Sequence, residues 1–373
     1  MKIWYKVMAL ALVSATVACG GSDNGPTGPT PGGGTVTLTA PTPDAPGNDT
    51  QLDTLRPTLT VQNVTSDQPT GTRTYEFQIS DASDFTTTVM SYIPGLNVVV
   101  SQTGVAEGSG GTTSFTPASD LQPSTRMYWR ARVAEGATTS AWSATAQFRT
   151  KLVGFNRAGE LYDPLIHGET IGARVGQTTY MGTRGLRVDN ARSWVKYQLV
   201  STLTSGEISV DVEGLQPNGV GSKARIFSMM DGGSSLYKSK FLFNVQYRGV
   251  DGNPNNAISY KVLMGDADLK YEPDRAARTA GVRQLSPTTT YVWTASWGNT
   301  FQLTVREGSD TGAIIYDRSQ ATDGTYDPSP HTVYLGANDA AFESGSYAGA
   351  IYRNLWVGNR PRPASLGSAL RMP

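Results

Sequence analysis

Apolar and polar residues alternate with a period of two through most of this chain, and clusters of Gly, Pro, Asn, Asp and Ser interrupt the alternation. Successive side chains of an extended backbone point to opposite faces, so each such run predicts a strand with one buried face. Between residues 36 and 150 the runs are Pro57–Gln62, Tyr75–Ser80, Met127–Val133 (entered from the turn Leu121–Thr125) and Ala146–Thr150. Between 155 and 361 they are Ser193–Leu199, Glu207–Glu213, Ala224–Met230, Phe241–Arg248, Ile258–Leu263, Thr290–Trp297, Phe301–Glu307 and Ile351–Val357. Ala224–Met230 is apolar on both faces, as a central strand is. Asp251-Gly-Asn-Pro254 joins Phe241–Arg248 to Ile258–Leu263 as a pair, and Gly298-Asn299 between two alternating runs predicts a hairpin. One short helix is expected, at Pro273–Val282 with Asp274 in its first turn. Asn97–Thr113 is long and Gly-rich, which fits an inserted hairpin or a mobile loop.

Composition supports an all-β reading. Only 17% of residues are charged, 41 are glycine, and runs of Ala, Leu, Glu and Lys are missing. The length suits two or three domains with sizeable cores. The pattern divides into a unit at 36–150, a unit at 155–361 and a C-terminal tail at 362–373. Lys plus Arg balances Asp plus Glu at 31 each. No global field draws the chain to nucleic acid, which is excluded as a partner.

The N-terminus has its own pattern. Lys2 and Lys6 precede the twelve-residue apolar run Val7–Ala18, and Thr16-Val-Ala-Cys19 ends on the only cysteine of the chain. A membrane-spanning helix needs about 20 apolar residues, so this run reads as a signal segment, residues 1–18. The tetrapeptide resembles the lipobox of bacterial lipoproteins, which implies a diacylated Cys19 and a membrane partner reached through that lipid anchor. Residues 19–35 form a tether: ten of the fifteen residues from Gly20 to Gly34 are Gly or Pro. Gly20, where an Asp would retain a Gram-negative lipoprotein at the inner membrane, implies an exported protein of the cell envelope at the outer membrane. With no other cysteine, disulfides contribute nothing.

Two resemblances follow from the strand motifs. The strand Met127–Val133, with its tyrosine and tryptophan, and the later Ser140-Ala-Trp142-Ser143 resemble fibronectin type III domains, implying a β-sandwich. Trp129 and Trp142 are then core or packed strand edge. Gly182-Thr-Arg-Gly-Leu-Arg-Val-Asp189 with Ser193-Trp-Val, and Tyr347-Ala-Gly-Ala-Ile-Tyr-Arg-Asn-Leu-Trp-Val357, resemble the opening and closing motifs of laminin-G and concanavalin-A-like jelly rolls. The fold class expected is therefore all-β, a fibronectin type III-like sandwich followed by a concanavalin-A-like jelly-roll sandwich. Trp356 is expected to pack and Trp194 to be exposed.

Candidate chemistry lies in the second unit. Hydrolases that share the jelly-roll fold carry paired acids on one strand face, because retaining glycoside hydrolysis needs two carboxyl groups about 5 Å apart. Glu207, Asp211 and Glu213 share a face, but Ser209 stands where an acid is needed, and the strand that matches by order, Phe241–Arg248, has none. The three acids read as a solvated face. On Phe241–Arg248, Asn244, Gln246 and Arg248 lie opposite Phe241, Phe243, Val245 and Tyr247; pairing with the next strand adds Lys261, and Arg225 falls on the far side. Such a face suits a polysaccharide or glycoconjugate bearing uronate or sulfate, since Arg offers a bidentate fork; a solvent-facing sheet without ligand is the alternative. A lyase would need a base such as Tyr247 or Tyr260, which alternation places on the opposite face; His167 and His331 lack the Gln-x-His context of alginate lyases, and His331 reads as a loop residue entering Val333–Leu335. Structural calcium is the one cofactor considered, with Asp189, Asp251, Asn338 and Asp339 as ligands in oxygen-rich turns that ordinary turn chemistry also explains.

The preferred function is non-catalytic binding of a glycan or other extracellular ligand at the cell surface. The alternative is a polysaccharide lyase or glycoside hydrolase using Arg248, Gln246, Lys261 and a tyrosine, and the second alternative an adhesion or envelope-structural protein.

Overall fold

Among the described residues the alternating runs form twenty-five strands in four sheets. The computed structural model describes residues 37–65, 71–85, 100–231, 241–264, 269–271, 281–321, 329–338, 345–363 and 366, and from Thr37 onward the chain is one unit. Among the described residues there is no α-helix, only a 3-10 turn at Gly182–Arg184, and no helix long and apolar enough to cross a membrane. The expected signal segment, Cys19, the expected tether and most of the expected helix (residues 273–280) lie outside the described residues.

Strands up to Arg149 build two sheets. One joins Thr42–Ala45, Leu59–Gln62 and Thr112–Phe115; the other is centred on Arg126–Glu135 and Arg73–Ser80. Met127, Trp129, Ala131 and Val133 alternate into the core, where the Trp129 ring stacks on Phe77 at 6.3 Å and its indole donates to the Pro46 carbonyl at 2.9 Å. The serines of Ser140-Ala-Trp-Ser143 accept hydrogen bonds from Val133 N (3.1 Å) and Ala131 N (3.0 Å), so their hydroxyls extend the sheet edge. Trp142 is thereby held against the guanidinium groups of Arg130 and Arg132, each 4.5 Å from its ring. These contacts explain the motif: it packs a strand edge. The Gly-rich stretch expected as an insertion is different. Val100–Ala106 pairs with Arg73–Ser80 in one sheet and Thr112–Phe115 with Leu59–Gln62 in the other, so the segment crosses the sandwich. Residues 97–99 lie outside the described set.

Strands from Phe155 onward form a nine-stranded and a seven-stranded sheet packed through one core. Ile208, Val210, Trp293, Phe301 and Leu303 enter it from the first, and Phe243, Val245, Ile258, Val262 and Val333 from the second. Phe243 and Phe301 meet edge to face at 5.7 Å. Fully burying each such aliphatic or aromatic side chain contributes roughly 1.5–3 kcal/mol. Tyr291–Trp297 and Thr300–Glu307 form the predicted hairpin about Gly298-Asn299. Phe241–Arg248 pairs with Ala257–Met264 in unbroken register.

Ala224–Met230 carries a bulge between Arg225 and Phe227. The extra residue turns both Ile226 and Phe227 into the core, while Arg225 and Ser228 are buried on the opposite face. The Ile226 carbonyl, freed from the ladder, accepts the Tyr352 hydroxyl at 2.8 Å from across the core.

The residues expected as a C-terminal tail are packed where they are described. The Arg362 side chain is 4% exposed, and Leu366 joins a cluster with Phe155, Tyr162 and Trp356 while bridging to Thr125 of the first sandwich. Arg157 to Gln122 (2.9 Å) adds a contact between the sandwiches, and Ser124 to the Val153 carbonyl (2.9 Å) ties the connector to the first.

Candidate functional site

Strand register on the seven-stranded sheet sets two rows of side chains on the face turned away from the core. Lys196 pairs with Tyr334, Tyr334 with Ser228, Ser228 with Asn244, and Asn244 with Lys261. In the neighbouring row Trp194 pairs with Gly336, and beyond the bulge Arg225 pairs with Gln246 and Gln246 with Ser259. The alternating partners Phe243, Val245 and Val262 point into the core. Asn244, Gln246 and Lys261 therefore share one face, as parity predicts, and the bulge brings Arg225 onto it. Arg248 is on the same strand parity two positions along, opposite Ala257.

This face is polar yet buried: Ser228 is 0% exposed, Ser259 2%, Asn244 4% and Gln246 6%. The Asn244 Oδ1, Gln246 Oε1, Ser228 Oγ, Ser259 Oγ and Trp194 Nε1 atoms are buried with no hydrogen-bond partner among the described residues. A buried polar atom left unpaired costs about 1–3 kcal/mol. The next row is self-sufficient, since Thr332 donates to Gln198 Oε1 at 3.2 Å. Arg225 donates to Asn338 Oδ1, and the Lys196 ammonium sits 5.6 Å over the Tyr334 ring. Trp194, half-buried, packs on Met230 and Tyr334 to make an apolar shelf at one end of the rows.

Neither tyrosine considered as a base reaches this face. Tyr247 donates to the Arg283 carbonyl at 2.8 Å inside the core, and burial pushes its hydroxyl up to about 12. Burial likewise raises Tyr260, whose ring lies 5.7 Å from Phe243. The phenol on the polar side is Tyr334. Sequence reasoning passed over it, although Thr332-Val-Tyr-Leu alternates like its neighbours.

The carboxylates of Gly206–Glu213 lie on the outer face of the nine-stranded sheet, and the expectation of a solvated face is corrected there. Asp211, 4% exposed, accepts from Arg362 (2.9 Å) and Asn354 Nδ2 (2.8 Å), with Arg353 at 3.6 Å. Arg362 also pairs with Asp310. Burial opposes the Arg362 charge, but Asp211 and Asp310 outweigh it and push the pKa up. Glu207 accepts from Arg362 N at 3.3 Å and burial raises its pKa; Glu213 pairs with Arg184. The C-terminal segment thus covers Glu207 and Asp211, while Arg184 holds Glu213.

The calcium candidates do not converge. Asp189 accepts from Arg187 (2.6 Å) and Thr179 (2.8 Å), and Asn338 serves Arg225. Asp251 sits in an exposed turn, and Asp339 lies outside the described residues. Among the described residues no three His, Cys, Asp or Glu side chains group as a metal site. At Asp189 and Asn338 guanidinium groups occupy the oxygen donors, so this donor set does not fit a calcium ion. A recess of about 520 Å³ beside Gly154, Thr170 and Tyr180 contains Asp163. That carboxylate is saturated by Leu165 N, Ile171 N, Thr170 Oγ and the Tyr197 hydroxyl, as a structural group is.

These sheets define an all-β protein with an immunoglobulin-like sandwich followed by a jelly-roll sandwich. Residues 42–154 match the family described as the Rha78A-like, N-terminal immunoglobulin domain. No curated protein matches the chain. Among solved structures, the binding domain of botulinum neurotoxin DC in complex with SialylT is 9% identical over 56% of this chain, with a TM-score of 0.32; the chain spans 48% of that structure's length. The carbohydrate-binding module CBM66 from Bacillus subtilis is 12% identical over 52% of this chain and 98% of its own, with a TM-score of 0.29. A glycoside hydrolase family 16 endo-glucanase from Bacteroides ovatus is 10% identical over 54% and 95%, with a TM-score of 0.31. At such values these likenesses carry no argument about what this chain binds.

Proposed function

We propose that the chain binds a glycan on the polar face of the seven-stranded sheet and does no chemistry on it. The observation that carries this reading is the group of five unpartnered buried polar atoms on one face. Amide carbonyl oxygens accept from sugar hydroxyls, serine hydroxyls give and accept, and the Trp194 and Tyr334 rings suit the apolar face of a pyranose. None of the positions in the two rows bears a carboxylate or an imidazole that would serve as acid or base.

Affinity electrophoresis of the purified protein through gels containing neutral or acidic polysaccharides is expected to show retention by at least one. Assays for reducing ends and unsaturated products are expected to stay flat. Product formation would overturn the non-catalytic reading, and free migration through every gel would overturn binding altogether.

The same reading places the protein at the cell surface, with Cys19 lipidated and residues 20–34 as tether; the lipobox-like tetrapeptide supports it. Labelled palmitate should enter the expressed protein and be lost in Cys19→Ser. Equal label in both would sink the anchor.

A further inference from the structure

We infer that the recess beside Gly154, Thr170 and Tyr180 binds a small zwitterion with an apolar body, of the size of an apolar amino acid or dipeptide. The recess holds about 520 Å³, within the range of small-molecule sites, and lies where the connector at residues 152–154 passes the jelly-roll segment 163–172. It is separate from the sheet face proposed for a glycan and does not depend on that reading.

The rim is a fixed loop. Leu165 and His167 have left-handed φ of 59° and 55°, which a residue with a Cβ rarely adopts, and Gly168 follows at 85°. Asp163 holds this bend, because its carboxylate accepts from Leu165 N at one end and from Ile171 N at the other, both at 3.1 Å. The Tyr197 hydroxyl and Thr170 Oγ take up the rest of its capacity, so Asp163 shapes the recess and leaves recognition to other groups. The connector comes close because position 154 has no side chain: a Cβ there would meet Ile171 Cγ2 and the Tyr162 carbonyl oxygen at 3.0 Å. Beside Gly168 the space is open, since a Cβ added there would meet nothing within 4 Å.

Two opposite charges border this space without meeting. Arg174 and Glu169 both line it and both are exposed, yet among the described residues neither has a charged partner within 4 Å. Arg174 is nonetheless held in place. Its Nε donates to Thr178 Oγ1 at 2.6 Å, its Nη2 to the Thr178 carbonyl at 2.7 Å, and the guanidinium lies 5.1 Å from the centre of the Tyr180 ring. Nη1 has no acceptor among the described residues and is left for a carboxylate. Glu169 offers acceptors for an ammonium group. Leu152, Val153 and Ile171 add an apolar wall, in which Ile171 is 44% exposed. An anion would leave Glu169 unmatched and a cation would leave Arg174 unmatched, whereas a zwitterion answers both. Arg174 also lines a second recess of about 740 Å³, but there the other guanidinium, Arg187, is taken by Asp189 at 2.6 Å and the largest apolar side chain is Ala348.

Calorimetric titration of the full-length protein with L-leucine, L-phenylalanine and leucylphenylalanine tests this. The comparison compounds are 4-methylpentanoate, which lacks the ammonium group, isoamylamine, which lacks the carboxylate, and glycine, which lacks the apolar body. At least one of the three apolar zwitterions should bind, and each comparison compound should bind about tenfold more weakly or less. Arg174→Gln and Glu169→Gln should each weaken the bound zwitterion about tenfold. Both side chains are exposed, so neither exchange removes core packing, and the comparison compounds test the same assignment on the unaltered protein. Retention in polysaccharide gels should be the same in both variants as in the parent; it reports on the glycan reading alone, so either reading can fail without the other. No heat from any of the three zwitterions up to about 10 mM overturns the site. 4-Methylpentanoate or isoamylamine bound as tightly as leucine, or an unchanged affinity in either variant, overturns the recognition of two opposite charges.

Discussion

Exchanging Asn244 for Leu and Gln246 for Met in one protein is expected to abolish glycan retention while leaving stability unchanged or raised. Both replacements keep approximate size and shape and remove buried amide oxygens that have no partner among the described residues. Removing an unpaired buried oxygen relieves a desolvation cost of about 1–3 kcal/mol, whereas breaking a satisfied hydrogen bond would add one. The two outcomes differ in sign. A urea midpoint that holds or rises, together with lost retention, identifies groups kept for a ligand at the expense of the fold. A stability loss of about 2 kcal/mol or more would show that the amides serve the fold, and the site would have to be sought elsewhere.

Arg362→Ala is expected to cost about 3–5 kcal/mol, the usual result of removing one partner from a buried ion pair. Its guanidinium lies between Asp211 and Asp310, and Asp211 has almost no access to water. Asn354 and Arg353 would remain beside Asp211, but its closest cation would be gone. Arg184→Ala is the control, since the Arg184 to Glu213 pair is half exposed on its arginine side and exposed pairs contribute less than about 1 kcal/mol. Pairing Arg362→Leu with Asp211→Asn should recover part of the loss, because no buried charge is then left at position 211. Equal denaturation midpoints for Arg362→Ala and Arg184→Ala would refute the structural role of the C-terminal segment.

What was legible in the sequence was what a period of two records. The strands from Tyr75 to Ser80 and from Phe241 to Arg248, their buried faces, and the pairing of the latter across Asp251–Pro254 all follow from local alternation and turn chemistry. Parity alone put Asn244, Gln246 and Lys261 on one face. What it could not supply was register between strands distant in the chain. Tyr334 reaches Lys196 and Ser228 only through pairings that span more than a hundred residues, and no local signal announces them. The bulge at Arg225 inverts parity midway along a strand that reads as uniformly apolar. Asp211 alternates as a solvated residue would; its cover, Arg362, arrives 151 positions later. The Gly-rich stretch before Thr113 misled for a related reason, since a chain crossing between sheets has the composition of a loop and the pairing of two strands.

The bridge from Leu366 to Thr125 has a mechanical consequence. A connector at residues 150–155 alone would act as a single pivot, about which one sandwich could swing and twist relative to the other. A second attachment, made by the returning end of the chain, removes most of those rotations. Torque applied to the first sandwich is then transmitted to the jelly roll as it would be through a rigid arm, and the seven-stranded sheet keeps a fixed bearing relative to the immunoglobulin-like sandwich.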